Sequence, residues 1–377
     1  MDLSVTFLGT GGAVPSARRS TASVLVSRGG ERLMFDCGEG TQRQLQRSLG
    51  LVQVDQIYLT HFHADHFLGL PGLLKTYDLT DRRSPLTVYG PRGLRDLFKT
   101  LGRLIGKIGF DLELVEVEPG EAIALEDGEV RPFPVEHSVR ACGYALVEDE
   151  RPGRFDIEEA KRLGVPEGPA FAALQRGERV AGSEGAVDSA QVVGEPRPGR
   201  TIVITGDTGP CRETVEAARG AELLVHDASF SEEEAQRALD TGHSTVGQAA
   251  AVAREAGVKM LALVHISSRY HVKTVLEEAR EVSSRRWRPA TSTWSRSPSP
   301  SGAGPCWCRM APASASRRQI QRARVTIPST TASGRSSWRK CLAGSSVASS
   351  TPSASCTARR RRRSSIRSFS PQTTWAG

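Results

Sequence analysis

The 377-residue chain is 38% hydrophobic, which is enough for a sizeable core, and it contains no run of 18 apolar residues that could cross a membrane. Its net charge of +8 is unevenly distributed. Residues 283–377 hold 17 Arg and one Lys and no acidic residue, whereas residues 1–282 hold 32 basic and 42 acidic residues. The N-terminus shows no basic region followed by a signal-type apolar stretch, so we predict a cytoplasmic protein without membrane association.

Short strands dominate the first part of the chain. Alternating or β-branched apolar residues predict strands at residues 3–9, 23–26, 32–35, 54–60, 86–89, 112–117, 121–125, 129–135 and 142–147. Helices are predicted between them at residues 41–49, 67–77 and 92–105. Two glycines after Arg28 predict a hairpin turn between the second and third strands.

After residue 198, strands and helices alternate. Strands are predicted at residues 200–205, 221–226 and 259–265, and helices at residues 212–219, 245–255 and 272–282. A β-rich part followed by a βα part predicts an α/β fold with two stacked sheets and helices on their outer faces, an αββα sandwich. We expect residues 1–282 to form this domain.

Residues 150–198 interrupt the pattern. They are rich in Gly, Pro, Glu and Arg and only weakly periodic. From Arg151 to Pro198 they contain seven basic and eight acidic residues, so the segment is not basic overall. This composition predicts a protruding insertion outside the main core.

Residues 283–377 form an Arg- and Ser-rich tail that contains all five tryptophans of the chain. The tail has no hydrophobic period and cannot bury enough apolar area to offset the entropy of ordering, so we predict disorder. It is either an RNA-binding arm centred on residues 359–363 or a segment translated out of frame. We favour the second hypothesis because a neighbouring frame can restore strand-like alternation and acidic residues; the gene sequence distinguishes the two.

The most distinctive motif is HFHADH at residues 61–66, directly after a predicted strand. His61 and His63 are two positions apart on extended backbone, so their rings face the same way. The chain then turns and brings Asp65 and His66 to the same region. One tetrahedral ion takes about four ligands, and these four groups in two pairs favour two adjacent metal ions over one.

Three further candidate ligands stand at the ends of predicted strands: His137, Asp207 and His265. Ligands at strand ends would converge on one edge of a sandwich, and Asp207 is suited to bridge two ions because its carboxylate can give one oxygen to each. On position alone, His137 and His265 are equally compatible with structural histidines.

Five short motifs along the chain point to a family: FLGTGGAVP at 7–15, FDCGEGTQ at 35–42, THFHADH at 60–66, GDT at 206–208 and HST at 243–245. HxHxDH with later single His, Asp and His residues resembles the metallo-β-lactamase superfamily. The FDCGEGTQ and HST motifs resemble the ribonuclease Z family, the tRNA 3′-processing endonucleases within it. The resemblance runs from residue 3 to about residue 282.

This resemblance implies a cofactor of two zinc ions per subunit. It assigns one zinc to His61, His63, His137 and Asp207, and the other to Asp65, His66, Asp207 and His265. It also implies that Asp65 is the general base. Two zinc ions about 3.5–4 Å apart would lower the pKa of a shared water to near 7, and we expect the resulting bridging hydroxide to attack phosphorus.

The leaving ribose oxygen requires a proton donor, and His243 is the candidate. The resemblance suggests Asp227 as the carboxylate that orients it, at a position where the family more often has Glu. The alternative for His243 is a helix-capping role near Thr245.

The resemblance also bears on the substrate and partners. Residues 150–198 correspond to a flexible arm that clamps the tRNA elbow across a homodimer, so we expect precursor tRNA and a second copy of the chain as partners. Residues 15–20 resemble a loop with the pattern PxKxRN that is associated with sensing the mature CCA end. Pro15 and Arg19 match this pattern, whereas Ala17 and Ser20 replace its Lys and Asn.

The sequence therefore predicts a zinc-dependent endoribonuclease that removes the 3′ trailer from precursor tRNA and leaves a 3′-hydroxyl. One alternative is a small-molecule phosphodiesterase or arylsulfatase-like hydrolase with the same metals, although only a macromolecular substrate requires a protruding clamp. Another is a non-catalytic RNA-binding protein, which the full set of candidate ligands disfavours because unpaired buried polar groups are costly.

Overall fold

Two stacked seven-stranded sheets organise the chain in a computed structural model, which describes residues 2–17, 19–283, 306–308 and 324–327. The strands of the first sheet are Leu3–Gly9 (β1), Ser23–Arg28 (β2), Glu31–Phe35 (β3), Gln56–Tyr58 (β4), Leu86–Gly90 (β5), Leu112–Glu116 (β6) and Arg324–Ile327 (β16). Their order is β16-β1-β2-β3-β4-β5-β6. The pairs from β3 to β6 are parallel, and the others are antiparallel.

The second sheet is built from later strands. They are Ile123–Leu125 (β7), Gly128–Pro134 (β8), Cys142–Glu148 (β9), Thr201–Ile204 (β12), Leu223–Asp227 (β13), Leu261–Val264 (β14) and Cys306–Cys308 (β15). Their order is β15-β14-β13-β12-β9-β8-β7. Strands β12, β13 and β14 are mutually parallel, and β9 is antiparallel to both β8 and β12. The C-terminal ends of β8, β12, β13 and β14 therefore meet at one edge.

The helices lie mainly on the outer faces. They are Thr41–Leu49 (α1), Ala64–Phe67 (α2), Gly69–Leu79 (α3), Leu94–Ile105 (α4), Ile157–Arg162 (α5), Pro169–Gln175 (α6), Ser189–Val192 (α7), Arg212–Ala217 (α8), Ala235–Thr241 (α9), Val246–Glu255 (α10) and Val272–Ser283 (α11). A 3₁₀ turn, Glu232–Glu234, precedes α9. No helix among the described residues is long and apolar enough to span a bilayer.

Alternation along the strands separates the core into layers. In β13, Leu223 and Val225 pack between the sheets, whereas Leu224 packs against the outer helices α8, α10 and α11. In β4, Tyr58 points between the sheets and Ile57 points to the outer layer of α1, α3 and α4. Strands buried on both faces have to be apolar throughout. This arrangement confirms the predicted α/β fold and its αββα sandwich.

A hydrogen-bonded link joins the two sheets directly below the HFHADH segment. Tyr144 of β9 donates its hydroxyl to the carbonyl of Leu59 at 2.8 Å, and the backbone N–H of Cys142 donates to the carbonyl of Thr60 at 3.0 Å. The Tyr144 ring also meets the Tyr58 ring edge to face, with centroids 5.3 Å apart. These contacts fix the segment that carries His61 against the second sheet.

The predictions for the tail fall almost entirely outside the described residues. The tail segments that the structure describes, Cys306–Cys308 and Arg324–Ile327, pair with β14 and β1, so each extends one edge of a sheet. The predicted disorder does not hold for these two segments, because they form strands. The domain boundary at residue 282, the disorder of the rest of the tail and the origin of the tail stay predictions.

The insertion at residues 150–198 forms a small unit with its own core. It contains α5, α6, α7 and a hairpin of Val180–Gly182 (β10) and Gly185–Val187 (β11). Five of its side chains are buried against one another: Ala160, Val165, Leu174, Val187 and Val192. These contacts lie within the insertion, so none of these side chains packs in the three apolar layers between the sheets and helices of the sandwich. Its role as a substrate-binding arm stays a prediction.

The neck of this insertion is held by a buried ion pair. Glu148 at the end of β9 accepts from Arg200 Nε at 2.5 Å and from Arg200 Nη2 at 2.6 Å, in a two-pronged arrangement. Both residues are more than 90% buried. Burial favours the neutral form of Glu148, but the Arg200 guanidinium outweighs it and lowers the pKa of the carboxyl below its usual value.

We expect Glu148→Gln to lower the free energy of unfolding by about 3 kcal/mol, because it removes the carboxylate charge that pairs with two nitrogens of the buried Arg200 guanidinium. Urea unfolding measures this change. Glu118→Gln is the matched control, since Glu118 pairs with Arg140 in an exposed ion pair that should contribute less than about 1 kcal/mol. Equal losses in the two variants would contradict the assignment of the neck as a structural ion pair.

Candidate metal centre

The predicted ligands lie at the edge where the C-terminal ends of the strands meet. The HFHADH segment follows β4, and His137, Asp207 and His265 follow β8, β12 and β14. We predicted that the chain turns at Asp65 and His66. In the structure this turn is a one-turn helix, α2. The structure thus brings all seven predicted ligand residues to one place.

Asp207 lies at the centre of the cluster and is almost fully buried. Its carboxylate oxygens are 3.2 Å from His66 Nε2, 3.3 Å from His265 Nε2 and 3.6 Å from His61 Nε2. In each of three groups, the donor atoms lie within 4.8 Å of one another: His61, His63, His137 and Asp207; Asp65, His66 and His265; and Asp207, Asp227, His243 and His265. The first two groups correspond to the two predicted ligand sets, with Asp207 close to both.

The donor atoms of this cluster fit a cation. Within the described part of the chain, His61 Nε2, His66 Nε2 and Asp207 Oδ1 are buried and make no hydrogen bond. A buried polar atom without a partner costs about 1–3 kcal/mol. Divalent cations at this centre would accept lone pairs from these atoms, and neutral imidazole and carboxylate are common ligands of such ions.

The outer ring nitrogens of four histidines are fixed by neighbouring groups. The contacts to Nδ1 are Thr60 Oγ1 at 3.0 Å from His61, Asp36 Oδ2 at 2.8 Å from His66, the Gly242 carbonyl at 2.8 Å from His137, and Ser229 Oγ at 2.7 Å from His265. Such partners set the tautomer and the orientation of a metal-binding ring. Each of these four rings therefore presents Nε2 to the centre.

Electrostatics favours the ligand form of His61 and Asp207. At His66 and His265 the Asp207 carboxylate outweighs burial and raises the pKa of the ring, so a cation that binds there would displace a proton. Burial, reinforced by the neighbouring His66, holds the pKa of His61 well below its ordinary value, so its ring is neutral. Burial alone would raise the pKa of Asp207, but the adjacent His265 and His66 rings outweigh it and hold that pKa well below the usual range. An ionised carboxylate beside a neutral imidazole is the combination that a metal site requires.

Asp36 is a site residue that the sequence reasoning missed. It is buried and has a left-handed backbone with φ of 57°. Its carboxylate accepts from the Thr60 N–H at 2.8 Å and faces Thr60 Oγ1 and His66 Nδ1. Asp36 belongs to the FDCGEGTQ motif, and its place in that motif is the sequence feature that could have identified it as a site residue.

We expect Asp36→Asn to weaken zinc binding about 10- to 100-fold, because the variant removes the anionic partner of the His66 ring. Asn tolerates the left-handed backbone, so the substitution tests the charge more than the conformation. A competition titration against a zinc chelator measures the affinity. Asp81→Asn is the matched control, since Asp81 is exposed and has a similar φ of 56°; a loss of the same size in both variants would refute the role of Asp36.

Glycines allow two chain segments to approach the centre closely. A Cβ atom on Gly38 would lie 2.0 Å from the carbonyl oxygen of Asp65. A Cβ on Gly12, which follows β1, would lie 3.0 Å from the carbonyl oxygen of His265. The backbone N–H of Gly12 also donates to the carbonyl of Ile266, which holds this segment beside His265.

His243 and Asp227 form a pair beside the ligand cluster. His243 Nδ1 is 2.7 Å from Asp227 Oδ2, and the His243 ring stacks on the His265 ring with centroids 5.1 Å apart. The shorter Asp side chain therefore reaches the histidine. The helix-capping alternative for His243 is wrong, because Thr245 is the N-cap of α10 and accepts from the backbone N–H of Gln248.

An αββα sandwich with a His- and Asp-rich centre at one edge is the architecture of metal-dependent hydrolases. A family model described as the metallo-beta-lactamase superfamily matches residues 17–246. Among solved structures, the short form of human tRNase Z is similar, with a TM-score of 0.53 and 28% identity over 71% of this chain and 93% of that one.

Curated relatives narrow the assignment. Ribonuclease Z of Haloferax volcanii is 53% identical over 287 residues, covering 75% of this chain and 90% of that protein. Ribonuclease Z of Methanosarcina acetivorans is 47% identical over 286 residues, covering 74% and 93%. The chain belongs to the ribonuclease Z family of the metallo-β-lactamase superfamily and is a metal-dependent endoribonuclease, a phosphodiester hydrolase.

Proposed function

We propose that the chain is a zinc-dependent endoribonuclease that removes the 3′ trailer from precursor tRNA and leaves a 3′-hydroxyl. The observation that carries this proposal is the position of the His243–Asp227 pair directly beside the seven clustered donor residues. A phosphodiesterase needs both electrophilic stabilisation and a proton donor for its leaving oxygen. The names of the ribonuclease Z and tRNase Z relatives support precursor tRNA as the substrate.

The donor set suits two ions. One would be held by His61, His63, His137 and Asp207, and the other by Asp65, His66, Asp207 and His265. Imidazole and carboxylate ligands suit zinc, although manganese or iron also bind such sets. When bound, two zinc ions would lower the pKa of a water shared between them and neutralise charge on the phosphodiester.

Asp65 and His243 handle the protons in this proposal. Asp65 Oδ2 lies 3.0 Å from His265 Nε2, within the donor cluster, where its carboxylate can orient the attacking water and accept its proton. The water oxygen bonds to phosphorus as the bond from phosphorus to the ribose 3′ oxygen breaks. Asp227 holds Nδ1 of His243, so the opposite nitrogen, Nε2, gives its proton to the 3′ oxygen. The phosphate stays on the trailer.

The insertion at residues 150–198 is the proposed clamp for the body of the tRNA, reaching it within a homodimer. Four of its exposed basic side chains pair with carboxylates of the insertion: Lys161 with Glu167, Arg162 with Glu159, Arg176 with Glu178, and Arg179 with Asp188. An RNA phosphate that binds one of these basic side chains must replace the carboxylate that already pairs with it. RNA affinity should consequently fall with salt less steeply than a count of basic residues indicates.

Incubation of the purified chain with end-labelled precursor tRNA tests the proposal. We expect one cut at the 3′ side of the acceptor stem, loss of cleavage after chelation, and recovery on addition of zinc. Mature tRNA and bis(p-nitrophenyl) phosphate are the comparison substrates. Efficient hydrolysis of the small diester with no cleavage of precursor tRNA would reject the proposal in favour of a small-molecule phosphodiesterase.

A further inference from the structure

Ser229 occupies the position between the proposed acid and the candidate metal ligands. It is 4% exposed and follows β13, two residues after Asp227. Its hydroxyl oxygen is 2.6 Å from Asp227 Oδ1, 2.7 Å from His265 Nδ1 and 3.4 Å from His243 Nδ1. One side chain thus contacts all three residues.

The direction of these hydrogen bonds follows from the donors available. A serine hydroxyl has one proton, and an ionised carboxylate only accepts. Ser229 therefore donates to Asp227 and accepts from the Nδ1–H of His265. In the neutral form that binds a metal, His265 then presents the lone pair of Nε2 to the other side, where Asp65 Oδ2 and Asp207 Oδ2 lie 3.0 and 3.3 Å away.

The backbone conformation of His265 is a second reason why neighbouring groups must hold this residue in place. His265 is a non-glycine residue with φ of 57°, a conformation that costs about 1 kcal/mol or more and persists only where the surroundings hold it. Ser229 Oγ lies 3.2 Å from the His265 carbonyl oxygen as well as 2.7 Å from its ring. Because the one hydroxyl proton goes to Asp227, Ser229 restrains His265 through the ring and not through the carbonyl.

The Asp227 carboxylate is also fixed by several hydrogen bonds. It receives hydrogen bonds from the backbone N–H groups of Thr208 at 3.2 Å and Ser229 at 2.9 Å, besides the Ser229 hydroxyl. These hydrogen bonds fix the carboxylate in an orientation in which Oδ2 faces His243 Nδ1. Without the hydroxyl, Asp227 would lose its shortest bond to Oδ1 and the carboxylate could rotate.

We propose that Ser229 is a positioning residue that couples the His265 ligand to the His243–Asp227 pair. This inference rests on the proposed function, because it takes His265 as a zinc ligand and His243 as the acid. Its consequence is that one hydroxyl sets both zinc affinity and proton delivery to the leaving oxygen. A hydroxyl that only filled space would affect neither zinc affinity nor the dependence on the leaving group, and one that only held Asp227 would leave zinc affinity unchanged.

Two substrates separate the two effects. A ribose oxygen leaves only with a proton, whereas p-nitrophenolate leaves without one. With saturating zinc, Ser229→Ala should lower kcat for precursor tRNA about 10- to 100-fold and lower kcat for bis(p-nitrophenyl) phosphate much less. Zinc affinity, measured by chelator competition without substrate, should fall about 10- to 100-fold.

Companion variants make the result decisive. Ser229→Thr, which keeps the hydroxyl, should restore zinc affinity and the normal ratio of the two activities, and Ser229→Cys should resemble Ser229→Ala while filling the same space. In a His243→Ala background, Ser229→Ala should add little to the loss on precursor tRNA. Ser23→Ala is the matched control, because Ser23 is fully buried and its hydroxyl has no partner among the described residues.

Unchanged zinc affinity in both Ser229→Ala and Ser229→Cys, or full additivity with His243→Ala, would overturn the inference. Equal proportional losses on the two substrates would also overturn it, since they show no link to the leaving group. Failure of the wild-type chain to cut precursor tRNA would instead reject the proposed function, while the zinc titration would still report on the contact between Ser229 and His265.

Discussion

Asp65→Ala is expected to reduce cleavage of precursor tRNA by a factor of about 10⁴ while most of the RNA affinity remains. Asp65 would serve twice, as a ligand of one ion and as the acceptor of the water proton, and general-base removal alone accounts for a factor of about 10²–10⁴. Contacts to the body of the RNA lie elsewhere and should persist. Single-turnover cleavage and filter binding measure the two quantities separately.

Asp96→Ala is the control for this variant, because Asp96 is an exposed carboxylate on α4 that pairs with Lys99. It should leave cleavage unchanged. Retention of substantial cleavage by Asp65→Ala at saturating zinc would remove Asp65 from the mechanism. A parallel loss of RNA affinity would mean that the residue acts in binding or folding.

Removal of the insertion is expected to separate the two substrate classes. Gly153 and Gly194 lie in backbone contact at the neck, so residues 154–193 can be replaced by a Gly-Ser linker with little strain. Because the insertion has its own core, the deletion takes its buried side chains with it. We expect kcat/KM for precursor tRNA to fall at least about 100-fold, since binding energy from remote parts of a substrate is used at the reacting centre.

The same deletion should leave hydrolysis of bis(p-nitrophenyl) phosphate within about twofold of the intact chain, because no residue of the insertion belongs to the donor cluster. Thermal unfolding provides the control for the integrity of the sandwich. Unchanged cleavage of precursor tRNA would show that the insertion is not the clamp. Equal losses on both substrates would indicate damage to the centre itself.

The sequence predicted the donor cluster well because its members follow strongly patterned strands. Parallel strands deliver their C-terminal ends to one edge, so His137, Asp207 and His265 converge once the order of elements is right. Element ends were less predictable. The strand predicted at 54–60 stops at Tyr58, because the N–H of Thr60 donates to the Asp36 carboxylate and leaves the ladder.

The helix predicted at residues 67–77 also differs from the structure. It begins after a separate turn, α2, and the two helices meet at Leu68. The reason lies in a distant segment: the N–H of Cys37 donates to the His66 carbonyl, and the N–H of Gly69 donates to the Cys37 carbonyl. A local pattern contains no information on such a contact.

Features that depend on three-dimensional neighbours could not be predicted. Ser229 and Thr60 are ordinary hydroxyl residues in the sequence, and their role follows only from the distances to His265 and His61. Helix α9 has a single buried residue, Ala238, so it lacks the apolar stripe that indicates a helix. The insertion was read as weakly periodic because its helices have at most seven residues.

The seven donor residues are divided between the two sheets. His61, His63, Asp65 and His66 come from the first, and His137, Asp207 and His265 come from the second. During synthesis strands β1 to β6 of the first sheet emerge first, and the last donor, at position 265, leaves the ribosome only when most of the sandwich has been made. A nascent or truncated product therefore lacks a complete centre, and nuclease activity should arise only in chains whose two halves have both folded.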